Sequence, residues 1–175
     1  RAHLSVEVFS EDPDEILKQA TSFKEKFDLQ NLSIKVHIGL GELSVIRRLR
    51  ESGISVNCTC CMSVSQARLA ASAGADFVSL FWGRIRDAGK KDDDFNRKGR
   101  KQILNSGGSW DDFDPANVVE KTRKIFDNSY PNSKIIVGSI RGVKDIEDAD
   151  SSGAHIVTVQ PNFLKLLINN ATHFK

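Results

Sequence analysis

Leu32-Ser33-Ile34-Lys35-Val36-His37-Ile38 sets one lysine inside a short apolar run. A strand of a parallel sheet, covered on both faces, reads this way. Lysine is rarely fully buried without a partner. Burial disfavours the charged form of an amine, and a neutral lysine amine attacks carbonyl carbon to give a Schiff base. Lys35 is therefore a candidate covalent catalyst. A strand-end lysine whose stem is buried while its head reaches water would give the same run. The surrounding chain bears on the choice.

On the amino-terminal side, Leu4-Ser5-Val6-Glu7-Val8-Phe9 is β-rich and predicts a first strand. Pro13 opens a helix whose apolar positions Ile16, Leu17, Ala20, Phe23 and Phe27 recur at helical spacing. After the Lys35 strand, Leu43, Val45, Ile46 and Leu49 mark a helix that stops at Gly53. Ile54–Cys61 predicts a third strand, Ser63–Ala73 an alanine-rich helix ending at Gly74, and Asp76–Phe81 a fourth strand. A loop is expected to open at Trp82-Gly83-Arg84, and 86–112 is polar enough to read as an inserted, solvated loop. Asp114-Pro115 starts a further helix, Lys134–Ile140 a fifth strand, Val143–Asp150 a short helix, Ile156–Val159 a sixth strand and Pro161 a last helix.

Short apolar strands that alternate with amphipathic helices argue for an α/β fold with a parallel sheet. The sheet could be open and doubly wound, or closed as a (β/α)8 TIM-barrel type. A dinucleotide fold needs a glycine-rich first turn. Gly39-Leu40-Gly41 lacks the third glycine and follows an internal strand, so it supports that fold only weakly.

At 175 residues the chain is expected to form a single domain, 1–175, with a real core. A net charge of +2 with both signs interspersed predicts no nucleic-acid partner and no membrane surface. No apolar run reaches membrane-span length, and Arg1-Ala2-His3-Leu4 lacks an apolar signal core, so a cytoplasmic protein is expected. The cysteines lie together as Cys58-Thr59-Cys60-Cys61. Residues three apart on a strand face opposite ways, so Cys58 and Cys61 are expected neither to bridge nor to share a metal. They read as small core residues of a reducing compartment.

Polar residues recur toward the carboxyl ends of the strands, where barrels place their catalytic groups. Glu7 lies on the first, Lys35 on the second, and Asn57 and Thr59 share a face of the third. Ser79 is late in the fourth, with Arg84 beyond, and Ser139 and Arg141 close the fifth. Two guanidiniums with a hydroxyl and a helix start suit a phosphate dianion.

Three stretches carry a wider likeness: Val56-Asn57-Cys58-Thr59 with Met62–Arg68, Gly74–Arg84, and Gly138-Ser139-Ile140-Arg141 with Val157-Thr158-Val159. In order and spacing the chain resembles the transaldolase family almost throughout. The resemblance implies a class I, Schiff-base aldolase-type barrel of the pentose phosphate pathway, working on sugar phosphates without metal or organic cofactor. It implies Lys35 as the Schiff-base lysine, Glu7 as a carboxylate acting through a water, and Asn57 and Thr59 as holders of sugar hydroxyls and that water. Ser79 and Phe81 would line the substrate, and Arg84, Ser139 and Arg141 would take its phosphate.

The chain departs from that pattern in two places. Its start resembles the family's third strand, so about six of eight strand–helix units are expected, without the unit that carries an acid/base aspartate. His37 stands where the family commonly has Pro, Ala or Ser, and Glu42 where it usually has Gly. His37 reads either as an altered base or as a packed, hydrogen-bonded side chain. Three functions follow: transfer of a dihydroxyacetone unit between sugar phosphates; cleavage of fructose 6-phosphate or deoxyribose phosphate by a related aldolase; or sugar-phosphate binding by an inactive, truncated homologue. Six strands leave sheet edges, so homo-oligomers are expected.

Overall fold

Asp12 and Pro13 set the first helix. Asp12 Oδ1 accepts a 2.9 Å hydrogen bond from the Glu15 amide, and Pro13 takes a position where its missing N–H costs nothing. Helix α1 (Pro13–Lys26) then buries Ile16 and Ala20. The same logic, apolar stripe inward and charge outward, repeats along the chain. A computed structural model describes residues 3–27, 29–90 and 94–172. Its strands follow one another in the order of the chain. Contacts divide it into two compact units, between which the chain passes several times.

The first unit holds Arg1–Cys61, Ser65–Ser79 and Ile125–Lys134. Strands β1 (Leu4–Glu7), β2 (Leu32–His37) and β3 (Ser55–Cys61) pair in parallel. Glu7 pairs with Lys35, Lys35 with Asn57, and His37 with Thr59. Helix α2 (Leu40–Glu51) crosses from β2 to β3, packs on α1, and α3 (Val64–Ser72) follows β3. Ile34, Val36, Val56, Cys58 and Val78 are buried with Ile16, Val45, Ile46, Leu49 and Ala70. The other face of the strands is polar yet also closed at its centre: Ser33, Asn57, Thr59 and Ser79 are all buried. The reading of the Lys35 strand as covered on both faces holds. Gly53 and Gly74 end their helices at φ 75 and 102, a backbone that only glycine adopts without strain.

Asp76 fastens the start of β4 (Phe77–Phe81) to this sheet. Its Oδ2 accepts from Ser55 Oγ and the Val56 amide, each at 2.9 Å, and its Oδ1 lies 3.1 Å from Arg50 Nη2. Its backbone bonds Val56 and Lys134. Asp76→Ala is expected to destabilise the protein by about 2–3 kcal/mol, since charge-assisted bonds are lost and Arg50 is left unpaired. The urea midpoint should fall with little change in slope.

Cys60 stands at φ 63. That left-handed residue breaks the in–out alternation as a bulge does. Cys58 and Cys61 therefore both turn into the core, and their sulfurs lie 4.0 Å apart rather than on opposite faces as strand period implies. The thiols are free. Contact with Cys58, then burial, pushes the Cys61 thiol strongly up, and burial pushes Cys60 up. An aromatic disulfide reagent at pH 8 is expected to label Cys60 slowly and the other two only after unfolding, read by peptide mass.

The second unit holds Met62–Val64, Leu80–Lys124 and Ile135–Lys175. Strand β5 (Lys134–Gly138) pairs in parallel with β6 (Ile156–Val157), Ile136 opposite Ile156. Helices α6 (Pro115–Ser129, its end from Ile125 belonging to the first unit), α7 (Val143–Ser151) and α8 (Pro161–Thr172) form where helices are expected. Two expectations are corrected. Trp82-Gly83-Arg84 is not a loop: α4 (Trp82–Ala88) begins directly at the strand end and buries Trp82 and Ile85. The segment 86–112 is not an irregular loop either, for it contains helix α5 (Asp94–Asn105) and a 3-10 turn at Trp110–Phe113. Its Lys, Arg and Gln residues favour helix despite their polarity. Arg100 is buried through a 2.9 Å bond to the Ala88 carbonyl, and a Ser109–Asp112 capping box starts the turn.

Candidate active site

In the first unit, β1 and β2 bring a carboxylate and an amine together because Glu7 and Lys35 are register partners on one face. Lys35 Nζ donates to Glu7 Oε2 at 3.0 Å. The lysine side chain is 27% exposed and the glutamate 47%. The stem is held by the strand while the head meets both its partner and open space.

One layer deeper, Ser79 Oγ donates to Asn57 Oδ1 at 2.8 Å and Asn57 Nδ2 donates to Ser5 Oγ at 3.1 Å. The chain of polar groups continues through Ser33 to His3. Asn57 and Ser79, expected to face a substrate, are thus brought together but tied to each other and buried. Thr59 is different. It is fully buried, and its Oγ1 has no hydrogen-bond partner among the described residues. Such an atom costs free energy until a polar group satisfies it. A cavity of about 500 Å³ opens at the carboxyl ends of β1, β2 and β3, lined by Glu7, Phe9, His37, Cys60 and Gln66.

In the second unit, a separate constellation gathers at the ends of β4 and β5. The Gly83 amide donates to the Ser139 carbonyl at 3.1 Å. A Cβ on Gly83 would lie 2.6 Å from that oxygen and 2.8 Å from Arg141 Nε, so only glycine permits the approach. Ser139 sits at φ 60, a strained conformation for a non-glycine residue. Arg141 Nη2 pairs with Asp87 Oδ2 at 2.6 Å, and its amide donates to Asp145 Oδ2 at 2.9 Å. Asp145 also receives both amino groups of Arg86, at 2.5 and 3.3 Å. Arg84 is exposed on the first turn of α4 and makes no ion pair among the described residues. Phe81 is half-buried at the end of β4, beside Gly138.

The Lys90 ammonium against its carboxylate, with the Arg141 guanidinium beyond, holds Asp87 below the usual carboxylate range. A depressed carboxyl contributes stability above its ordinary pKa and loses it as pH falls through the folded value. A carboxyl-carbon NMR titration is expected to give Asp87 a midpoint below an ordinary aspartate, and Lys90→Met should raise it.

No group of three or more His, Cys, Asp or Glu that could hold a metal occurs among the described residues. No helix there is long and apolar enough to cross a membrane. Sequence reasoning missed Arg86, Asp87 and Asp145, whose Arg86–Asp145 and Asp87–Arg141 pairs join residues far apart in the chain.

Residues 1–174 match the model of the transaldolase/fructose-6-phosphate aldolase family. The chain belongs to that family. It is 33% identical over 167 residues to a "Probable transaldolase" of Chelativorans sp., covering 95% of this chain and 65% of the relative. It is 32% identical over 167 residues, with the same coverages, to one of Bartonella tribocorum. It is 30% identical over 172 residues to one of Brucella melitensis, covering 98% and 68%. The chain therefore spans about 65% of the length of the first two of these relatives. Parallel strands alternating with helices are the α/β architecture that the transaldolase resemblance implies.

Proposed function

We propose that this chain performs lysine Schiff-base chemistry on sugar phosphates, moving a dihydroxyacetone unit from a ketose phosphate, such as sedoheptulose 7-phosphate or fructose 6-phosphate, to an aldose phosphate. The observation that carries the reading is the 3.0 Å contact of Lys35 Nζ with Glu7 at the carboxyl ends of two parallel strands. A carboxylate in that place can carry protons, through a water, between the lysine nitrogen and the substrate oxygen as the carbinolamine forms and loses water.

The amine attacks the ketose C2 carbonyl, and loss of water gives an iminium. The C3–C4 bond breaks, its electron pair moves toward the iminium, and an aldose phosphate leaves. The retained enamine adds to a second aldose phosphate, and hydrolysis frees Lys35. Glu7 serves the proton transfers, and Thr59 supplies its unpartnered hydroxyl to the water they use. Arg84, Ser139 and Arg141 take the phosphate, for which guanidiniums and a hydroxyl are suited. Phe81 offers an apolar wall. Asn57 and Ser79, already bonded to each other, keep the polar layer beneath in place and reach a sugar hydroxyl only by exchanging those bonds. The reading extends to a place in the pentose phosphate pathway in the cytoplasm. Self-association also belongs to it, with the exposed Leu164, Leu166 and Ile168 of α8 as support.

The family description names an aldolase beside the transaldolase, so simple cleavage of fructose 6-phosphate is the second reading. The test is a product assay. Fructose 6-phosphate with erythrose 4-phosphate should give sedoheptulose 7-phosphate and glyceraldehyde 3-phosphate. Fast release of free dihydroxyacetone without an acceptor would favour the aldolase. Neither product would overturn both.

A further inference from the structure

His37 lies two residues beyond Lys35 on the same face of β2, and its backbone is the register partner of Thr59. Its side chain lines the 500 Å³ cavity with Glu7 and Cys60. Its Nε2 is 3.3 Å from Glu42 Oε1. Glu42 sits in the first turn of α2 and is only 8% exposed, so its carboxylate is largely withdrawn from water beside an imidazole. The fold makes room for this. A Cβ on Gly39 would lie 2.0 Å from Glu42 Oε2, so the carboxylate reaches this place only past a glycine. Gly39 has extended backbone, so its φ imposes no glycine and the close approach does.

We infer that His37, oriented by Glu42 across Gly39, is the general base that removes the substrate C4 hydroxyl proton during carbon–carbon cleavage. This rests on the Schiff-base reading above. The Cα atoms of Lys35 and His37 stand about 7 Å apart along the strand, a separation that C2 to C4 of a bound ketose with one hydrogen bond can span. With Nε2 turned toward Glu42, Nδ1 presents its lone pair. It takes the C4 hydroxyl proton. The O–H electron pair becomes the C4=O π bond, the C3–C4 pair becomes the C2=C3 bond, and the iminium π pair returns to nitrogen. The imidazolium, paired with Glu42, keeps the proton. It returns it to the new alkoxide when the enamine adds to the acceptor aldehyde, so the cycle is balanced. Glu42 is a positioning residue. Among the described residues, the charged or titratable groups beside His37 are Glu42 from α2 and, lining the same cavity, Glu7 from β1, Glu11 after it and Cys60 from β3; Lys35 precedes it on β2.

The experiment compares wild type, His37→Gln, Glu42→Gln and Gly39→Ala with fructose 6-phosphate and borohydride. Wild type should trap mainly the three-carbon unit on Lys35. His37→Gln should still trap Lys35, but as the six-carbon phosphate, with single-turnover release of glyceraldehyde 3-phosphate slowed about 10²–10⁴-fold. Glu42→Gln removes the carboxylate that orients the ring, so it should also build up the six-carbon adduct and slow release while leaving KM little changed. Gly39→Ala keeps both side chains and displaces the carboxylate, so it should build up the same six-carbon adduct even if His37→Gln folds poorly. Unchanged adduct mass and release in His37→Gln, equal loss of both adducts in a folded variant, or a wild-type adduct pattern in Glu42→Gln and Gly39→Ala would overturn the inference. Absence of any Lys35 adduct in wild type would instead overturn the Schiff-base reading.

Discussion

Lys35→Met is expected to lower turnover of fructose 6-phosphate by on the order of 10⁴-fold or more and to abolish reductive trapping. Methionine keeps the length and apolar character of the lysine stem, so β2 can still fill its place between β1 and β3. What disappears is the only atom in the Glu7–Lys35 pair able to form a carbon–nitrogen bond. Glu7 loses its 3.0 Å partner, yet it is 47% exposed and regains water. The pair is open enough that its loss should cost no more than about 1 kcal/mol. A large loss of rate with a nearly unchanged urea midpoint is therefore the expected signature. A matching loss of rate and stability would make Lys35 a packing residue.

Arg141→Ala is expected to raise KM for fructose 6-phosphate about 10²-fold while changing kcat much less. Unphosphorylated substrates such as dihydroxyacetone should be hardly affected. A bidentate guanidinium–phosphate contact is a pair of charge-assisted hydrogen bonds, and losing it costs roughly 2–3 kcal/mol. In the structure Arg141 Nη2 is occupied by Asp87, so a phosphate must share or displace that carboxylate. Initial-rate kinetics with phosphorylated and unphosphorylated donors check this directly. Equal losses for both would move the phosphate site elsewhere.

The strands were readable because alternation and apolar runs report burial without knowledge of neighbours. Lys35 stood out as a charge within such a run, and Glu7 as another on the preceding strand. Their contact follows from parallel register, which pattern alone does not fix. The phosphate-side network was hidden for a related reason: Arg86 and Asp145 are 59 residues apart, and only the fold joins them. Cys58 and Cys61 were misplaced because nothing in a cysteine at position 60 announces a left-handed backbone. Helix α5 was missed because composition was read as solvation. Its polar residues are strong helix formers, and one of them, Arg100, is buried through its bond to Ala88. Asn57 and Ser79 were recognised as inward polar groups, but their mutual hydrogen bond becomes visible only with the strands assembled.

The most direct measurement of the central claim is borohydride reduction of the folded protein with fructose 6-phosphate, followed by peptide mass spectrometry. A dihydroxyacetone or hexose phosphate mass on the peptide carrying Lys35 is the predicted result. No adduct, or an adduct on another lysine with Lys35 unmodified, would contradict it.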